Sequence, residues 1–101
     1  ESNKERWRAF VDAREVGSQL WLRARRPGDR FQPLGMSGRT VKLSGFFTNR
    51  KVQRAVRERL PLVVSDRGIA WVCGFHLDDA AAIRESTREV LCLRFVRQDS
   101  C

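Results

Sequence analysis

Leu62-Val63-Val64-Ser65-Asp66-Arg67-Gly68-Ile69-Ala70-Trp71-Val72-Cys73 carries the strongest structural signal in the chain. Two runs of β-branched and aromatic residues flank Ser65-Asp66-Arg67-Gly68, a polar connection that ends on Gly. That pattern predicts a β-hairpin. Downstream, Leu77 to Arg88 is polar with an Ala80-Ala81-Ala82 run, a loop or a short helical turn. Glu89 to Val96 returns to strand. It places Leu91, Leu93 and Phe95 on one face and Val90, Cys92, Arg94 and Val96 on the other. Because both faces are mostly apolar, an interior strand is expected.

Upstream, Pro61 stops a helix at Leu60. Val41 to Leu60 reads as helical in two pieces. Leu43, Phe46 and Phe47 form an apolar stripe at i, i+3, i+4, weakened at Gly45. In the second piece Val52, Ala55, Val56 and Leu60 gather on one side of the wheel. Arg50, Arg54 and Arg57 fall at i, i+4, i+7 on the other, flanked by Lys51 and Glu58.

Arg26 to Gly38 holds three glycines and two prolines, which excludes regular helix or central strand. Pro27-Gly28 suits the middle of a type II turn. Phe31, Leu34 and Met36 are apolar anchors for this segment. Nearer the N-terminus, Trp7, Ala9 and Val11 alternate with Arg8, Phe10 and Asp12 in a strand that ends at an Asp12–Gly17 turn. Leu20, Leu22 and Ala24 alternate with Trp21, Arg23 and Arg25 in a second strand. The expected core is Leu22, Leu43, Phe46, Val56, Ile69, Trp71, Leu91 and Leu93.

The chain of 101 residues, 42% hydrophobic, has room for one domain, read as 7–97. Residues 1–6 read as linker or frayed terminus and 98–101 as a tail. The start at Glu1, with neither initiator Met nor signal peptide, favours a domain excised from a longer protein. No apolar run is long enough for a membrane helix. Cys73, Cys92 and Cys101, with one His in the chain, fit neither a zinc site nor a disulfide framework. They read as two buried small hydrophobes and a tail thiol in a reducing, cytoplasmic setting.

The formal charge is +8, and it is not spread evenly. Between Arg23 and Arg59 eleven Lys and Arg face only Asp29 and Glu58, so this stretch carries +9 and the rest of the chain −1. Arg-rich composition explains the choice of Arg over Lys but not this clustering. A single-sign block reads as a footprint for a polyanion. No nucleotide loop, paired nucleophile and base, or metal-ligand spacing is present, so the chain alone reads as non-catalytic. His76 with Asp78 and Asp79 is a weak metal candidate, set against a solvated loop. Arg26, Arg30 and Lys42 from the loop side, and Arg50, Lys51, Arg54 and Arg57 from the helix, are the candidate phosphate-binding residues. Asp29 is expected to order its own turn or pair with an Arg. Without stacking aromatics or an RNA-reading motif, recognition by shape and backbone is expected.

The run Leu22-Arg23-Ala24-Arg25-Arg26-Pro27-Gly28-Asp29-Arg30-Phe31-Gln32-Pro33-Leu34-Gly35-Met36 closely resembles the C-terminal domain of bacterial tRNA(Ile)-lysidine synthase, the TilS (formerly MesJ) family. The likeness continues through Lys42-Leu43, Phe46-Phe47, Lys51-Val52, Arg57 to Val63, Ile69 to Gly74 and Thr87 to Leu93. It implies a three-layer α+β domain, a β-sandwich of unusual topology with one or two helices, similar to a domain of the phenylalanyl-tRNA synthetase β subunit. It also implies a parent ligase that uses ATP and magnesium, in an N-terminal domain absent from this chain, to attach lysine to the wobble cytidine of the minor, CAU-anticodon isoleucine tRNA. The implied partners are that tRNA, gripped toward its acceptor stem, the catalytic domain and, in a homodimer, a second copy. The alternative role is docking against the catalytic domain or in a dimer, without autonomous RNA binding. Gln53 stands where the family usually has Pro, which leaves the break between the helical pieces open. Ser44-Gly45 replaces a more common Lys-Asp and removes one candidate phosphate contact.

Overall fold

The computed structural model describes residues 6–96. In order come β1 (Arg8–Asp12), α1 (Ala13–Val16), β2 (Leu20–Arg23), β3 (Arg30–Phe31), β4 (Val41–Lys42), α2 (Leu43–Asn49) and α3 (Arg54–Arg57). There follow β5 (Leu62–Ser65), β6 (Gly68–Val72), β7 (His76–Leu77), a 3-10 turn at Asp79–Ala81 and β8 (Val90–Arg94). The linker residues 1–5 and the 98–101 tail, with Cys101, lie outside the described residues.

The hairpin forms as its residues require. β5 and β6 pair antiparallel from Leu62↔Val72 to Ser65↔Gly68, and Ser65 Oγ accepts the Arg67 N–H across the turn. The register shifts between Val63 and Val64, so Ala70 is one residue more than the partner strand has to match. Such a bulge turns two successive side chains to one side. Ala70 and Trp71 therefore join one apolar cluster, while Ile69 and Val72 join another. β6 is consequently buried on both faces and forms the partition of the molecule.

That partition creates the layers. In the sheet order β2-β5-β6-β7, one face packs Leu62, Ile69 and Val72 against Leu43, Phe46 and Phe47 of α2. The other packs Ala70 and Trp71 against Ala9 and Val11 of the β1–β8 ribbon, with Leu91 and Leu93 at its rim. Helix, sheet and ribbon make three layers of an α+β fold. Trp7 packs against both clusters, beside Gly74 (φ +73), where a Cβ would lie 2.4 Å from the indole.

Several expectations are corrected. β8 is not interior: among the described residues it pairs only with β1, and its outward residues Val90 and Cys92 are exposed. Of the expected core, Leu22 is 57% and Val56 43% exposed, while Leu91 and Leu93 are only half-buried. Leu22 lies on the edge strand β2 beside a groove with Leu60, Pro61 and Phe95, and α3 is a single turn at the margin. Leu34 is exposed, and Pro33 takes its place as the fully buried anchor beside Phe31. The Asp12–Gly17 turn contains α1, capped by the Asp12 carboxylate, which accepts the Arg14 and Glu15 N–H groups.

Candidate nucleic-acid interface

The site begins at the turn Arg26-Pro27-Gly28-Asp29. Gly28 takes φ +88 and the Asp29 N–H donates to the Arg26 carbonyl at 3.2 Å, as a type II turn demands. The Asp29 carboxylate accepts the Arg26 N–H at 2.7 Å and both terminal nitrogens of Arg23 at 2.8 and 3.1 Å. Burial opposes its ionisation, but these hydrogen bonds outweigh burial and hold its carboxyl below the usual range. Asp29 thus orders its turn and pairs with an Arg. Its carbonyl also accepts the Leu43 N–H and pins the start of α2.

This arrangement places Arg30 directly across from Lys42, both exposed, while Arg26 is exposed at the turn. Seven residues of α2, about 10 Å at 1.5 Å per residue, carry the chain from Lys42 to Arg50. The exposed Arg50 guanidinium lies 4.5 Å over the Phe46 ring.

The break between the helices is real, and Pro is not needed for it. Lys51 adopts φ +59, its N–H donates to Thr48 O, and the Val52 N–H donates to Phe47 O. This is the Schellman pattern, with Lys in the left-handed position that Gly usually fills. Gln53 has φ −63, the angle a proline ring would impose. The chain therefore breaks on its tertiary contacts, with Val52 packed on the helix-side core.

Because of that break, the Arg50, Arg54 and Arg57 stripe is not one continuous helical face. Arg54 is exposed on α3. Arg57 turns inward: Nε and Nη2 donate to the Val52 carbonyl, Nη1 reaches Thr48 Oγ at 3.4 Å, and the guanidinium sits 5.5 Å over Phe47. It ties α3 to the end of α2. Arg25 also lies against Phe47, at 6.0 Å. Sequence reasoning counted Arg25 in the basic stretch but passed over it, and the exposed Arg39 and Arg59, as site residues.

The His76, Asp78, Asp79 cluster does not converge on a metal. His76 Nε2 is 2.9 Å from the Leu34 carbonyl, whereas Asp78 is buried and accepts the Gln32 and Ala80 N–H groups. Burial pushes the Asp78 carboxyl up, against those two hydrogen bonds. Among the described residues no three His, Cys, Asp or Glu could hold a metal ion. Cys73 is buried, and burial pushes its thiol up to about 12. Among the described residues no helix is long and apolar enough to cross a membrane.

A family model described as the TilS substrate C-terminal domain matches residues 20–93. The chain belongs to this family. Curated relatives called tRNA(Ile)-lysidine synthase include those of Dehalococcoides mccartyi (38% identical over 87 residues) and Parabacteroides distasonis (40% over 88). These alignments cover 86% and 87% of this chain but 18% and 20% of the relatives, so the chain spans about a fifth of their length. A solved structure titled as the crystal structure of the TILS C-terminal domain matches with a TM-score of 0.70 and 31% identity. It covers 97% of this chain and 77% of that one. The basic turn, α2 and α3 of this TilS C-terminal domain lie inside the matched span.

Proposed function

We propose that this TilS C-terminal domain grips tRNA for a tRNA(Ile)-lysidine synthase, binding the acceptor-stem side of the minor isoleucine tRNA by shape and charge. Lysine ligation to the wobble cytidine, with its ATP and magnesium, is assigned to another part of that cytoplasmic enzyme. The observation that carries this reading is the exposure of Arg26, Arg30, Lys42, Arg50, Lys51 and Arg54 on consecutive elements. Of the two carboxylates between Arg23 and Arg59, Asp29 is already held by Arg23. Planar guanidiniums and two ammonium groups on a rigid frame suit backbone phosphates, whose recognition fixes register without reading sequence. Arg57 contributes charge at the rim but spends its donors inside.

The test is fluorescence anisotropy of the chain with isoleucine tRNA, an acceptor-stem minihelix and a DNA duplex of equal length, at several salt concentrations. Tighter binding to both RNAs than to DNA is expected, with log K falling against log salt by about 0.7–0.9 per phosphate contacted. Equal weak binding to all three, together with saturable binding to the catalytic fragment, would replace this reading with the docking role.

A further inference from the structure

β2 carries a row of side chains on its α2 side that the charge pattern does not single out. Trp21 stands across from Val64 and Arg23 across from Leu62, and both partners belong to the helix-side cluster. Residues directly opposite in an antiparallel pair share a face, so Trp21 and Arg23 stand on the α2 side of the sheet. β2 ends at Arg23, yet the alternation reaches Arg25, whose guanidinium lies 6.0 Å over the Phe47 ring of α2. On that face the indole of Trp21 is left 50% exposed, whereas Trp71 is buried and Trp7 half-buried. We propose that Trp21 stacks an unpaired base of bound RNA, with the strand running on toward Arg25 and Arg26.

Three observations point to that ligand. First, the indole is rigidly placed. β2 keeps register with β5 over its whole length, and Arg23, about 7 Å along the row, is clamped by the Asp29 carboxylate at 2.8 and 3.1 Å. Second, the same carboxylate accepts the N–H of the exposed Arg26 at 2.7 Å, so one group holds the end of the aromatic row and a candidate phosphate contact together. Third, the charge beside the row is positive. Arg23, Arg25 and Arg26 follow Trp21 within five residues; Asp29 is already engaged, and Glu58 stands across a concavity of about 260 Å³ from Arg25 and Pro27.

An exposed aromatic flanked by cations on a rigid sheet suits a single strand, because every base offers a face to stack and every nucleotide brings a phosphate. A protein surface seeking apolar cover would meet two arginines along this row instead. The row also adjoins the helix-side cations, since Arg57 of α3 rests on the same Phe47 ring at 5.5 Å. An RNA held by its duplex phosphates can therefore lay a base on Trp21 where its pairing ends. This deepens the RNA-binding reading and rests on it for the ligand.

The experiment compares affinities for a blunt RNA minihelix and the same minihelix with a single-stranded 3′ tail, at several salt concentrations and with tryptophan fluorescence followed throughout. The tail should tighten binding about tenfold and quench the fluorescence, in line with one stacked base. Trp21→Leu keeps an apolar side chain on the sheet and removes the indole. It should erase most of that gain and the quenching, with the salt slope unchanged because no phosphate contact is lost. Trp21→Phe should keep most of the gain, and blunt binding should stay within about twofold in both variants. A tail that adds nothing, a gain that survives in Trp21→Leu, or equal weakening of blunt and tailed RNA would overturn the proposal. Sedimentation showing that wild type self-associates and Trp21→Leu does not, with RNA affinities unchanged, would overturn it in favour of a protein contact. If neither minihelix binds, the duplex-binding reading fails. A short oligouridylate that quenches wild type but not Trp21→Leu would then still establish the stack, and no quenching would remove it.

Discussion

Arg54 and Arg57 lie three residues apart on the same short helix, yet the structure gives them different work, and truncating each should show it. Arg57→Ala removes hydrogen bonds from Nε and Nη2 to the Val52 carbonyl and a guanidinium from the face of Phe47. At about 0.5–1 kcal/mol for each partly exposed hydrogen bond and a similar amount for the cation–π contact, the loss sums to about 2 kcal/mol. For a domain of this size that lowers Tm by about 8–16 °C. Arg54→Ala removes an exposed side chain with no such contact and should change stability by less than about 0.5 kcal/mol. It should instead cost one phosphate, a drop of about 0.7–0.9 in the salt slope of RNA binding. Arg57→Lys separates charge from fork: it should keep the salt slope and still show most of the Tm loss of Arg57→Ala. Thermal melts by circular dichroism and anisotropy at three salt concentrations measure both quantities on the same preparations. Equal Tm losses for the two Ala variants, or a lost salt slope with unchanged Tm for Arg57→Ala, would refute the assignment.

Lys51→Gly should raise the urea midpoint by the equivalent of about 1 kcal/mol, because Gly adopts the left-handed conformation without a Cβ clash. The same change should weaken RNA binding by one phosphate; a destabilised variant would mean that the Lys51 side chain supports the break. Asp29→Asn should cost about 1–3 kcal/mol at pH 7, since it leaves Arg23 and the Arg26 N–H short of a charged acceptor. The Asp29 carboxyl is held low in the folded state, so its stabilisation is present above the ordinary carboxylate value of about 3.9 and is lost as pH falls through the folded value. Wild type and Asp29→Asn should therefore converge in urea stability in acid, and a constant gap between pH 7 and pH 2.5 would show that the ionised carboxylate is not what stabilises the turn.

The elements that sequence reading found are those whose cause is local. The hairpin follows from β-branched runs around Ser65 to Gly68, the Arg26–Asp29 turn from Pro27-Gly28, and α2 from the spacing of Leu43, Phe46 and Phe47. Exposure of the loop and helix cations was legible in part, because charge clustering needs no partner to be seen. Periodicity failed where a face exists without anything to cover it. Leu22 and Val56 repeat at the right intervals, but they fall on an edge strand and a marginal turn that no layer of the described residues reaches. Apolarity on both sides of β8 promised an interior strand, whereas the strand buried on both faces is β6.

Local chemistry alone dictates the hairpin, the tight turn, α2 and the concentration of positive charge in the middle third of the chain, since backbone preference and residue type act over a few neighbours. Packing alone makes Lys51 end a helix without Gly or Pro, turns Arg57 inward while Arg54 faces out, and brings Arg6, Arg8 and His76 to one cleft. Each of those depends on a carbonyl or ring supplied by a residue brought near by packing, such as Phe47 under Arg57 or Leu34 beside His76. A linear pattern carries no record of which partner a long, flexible side chain will find.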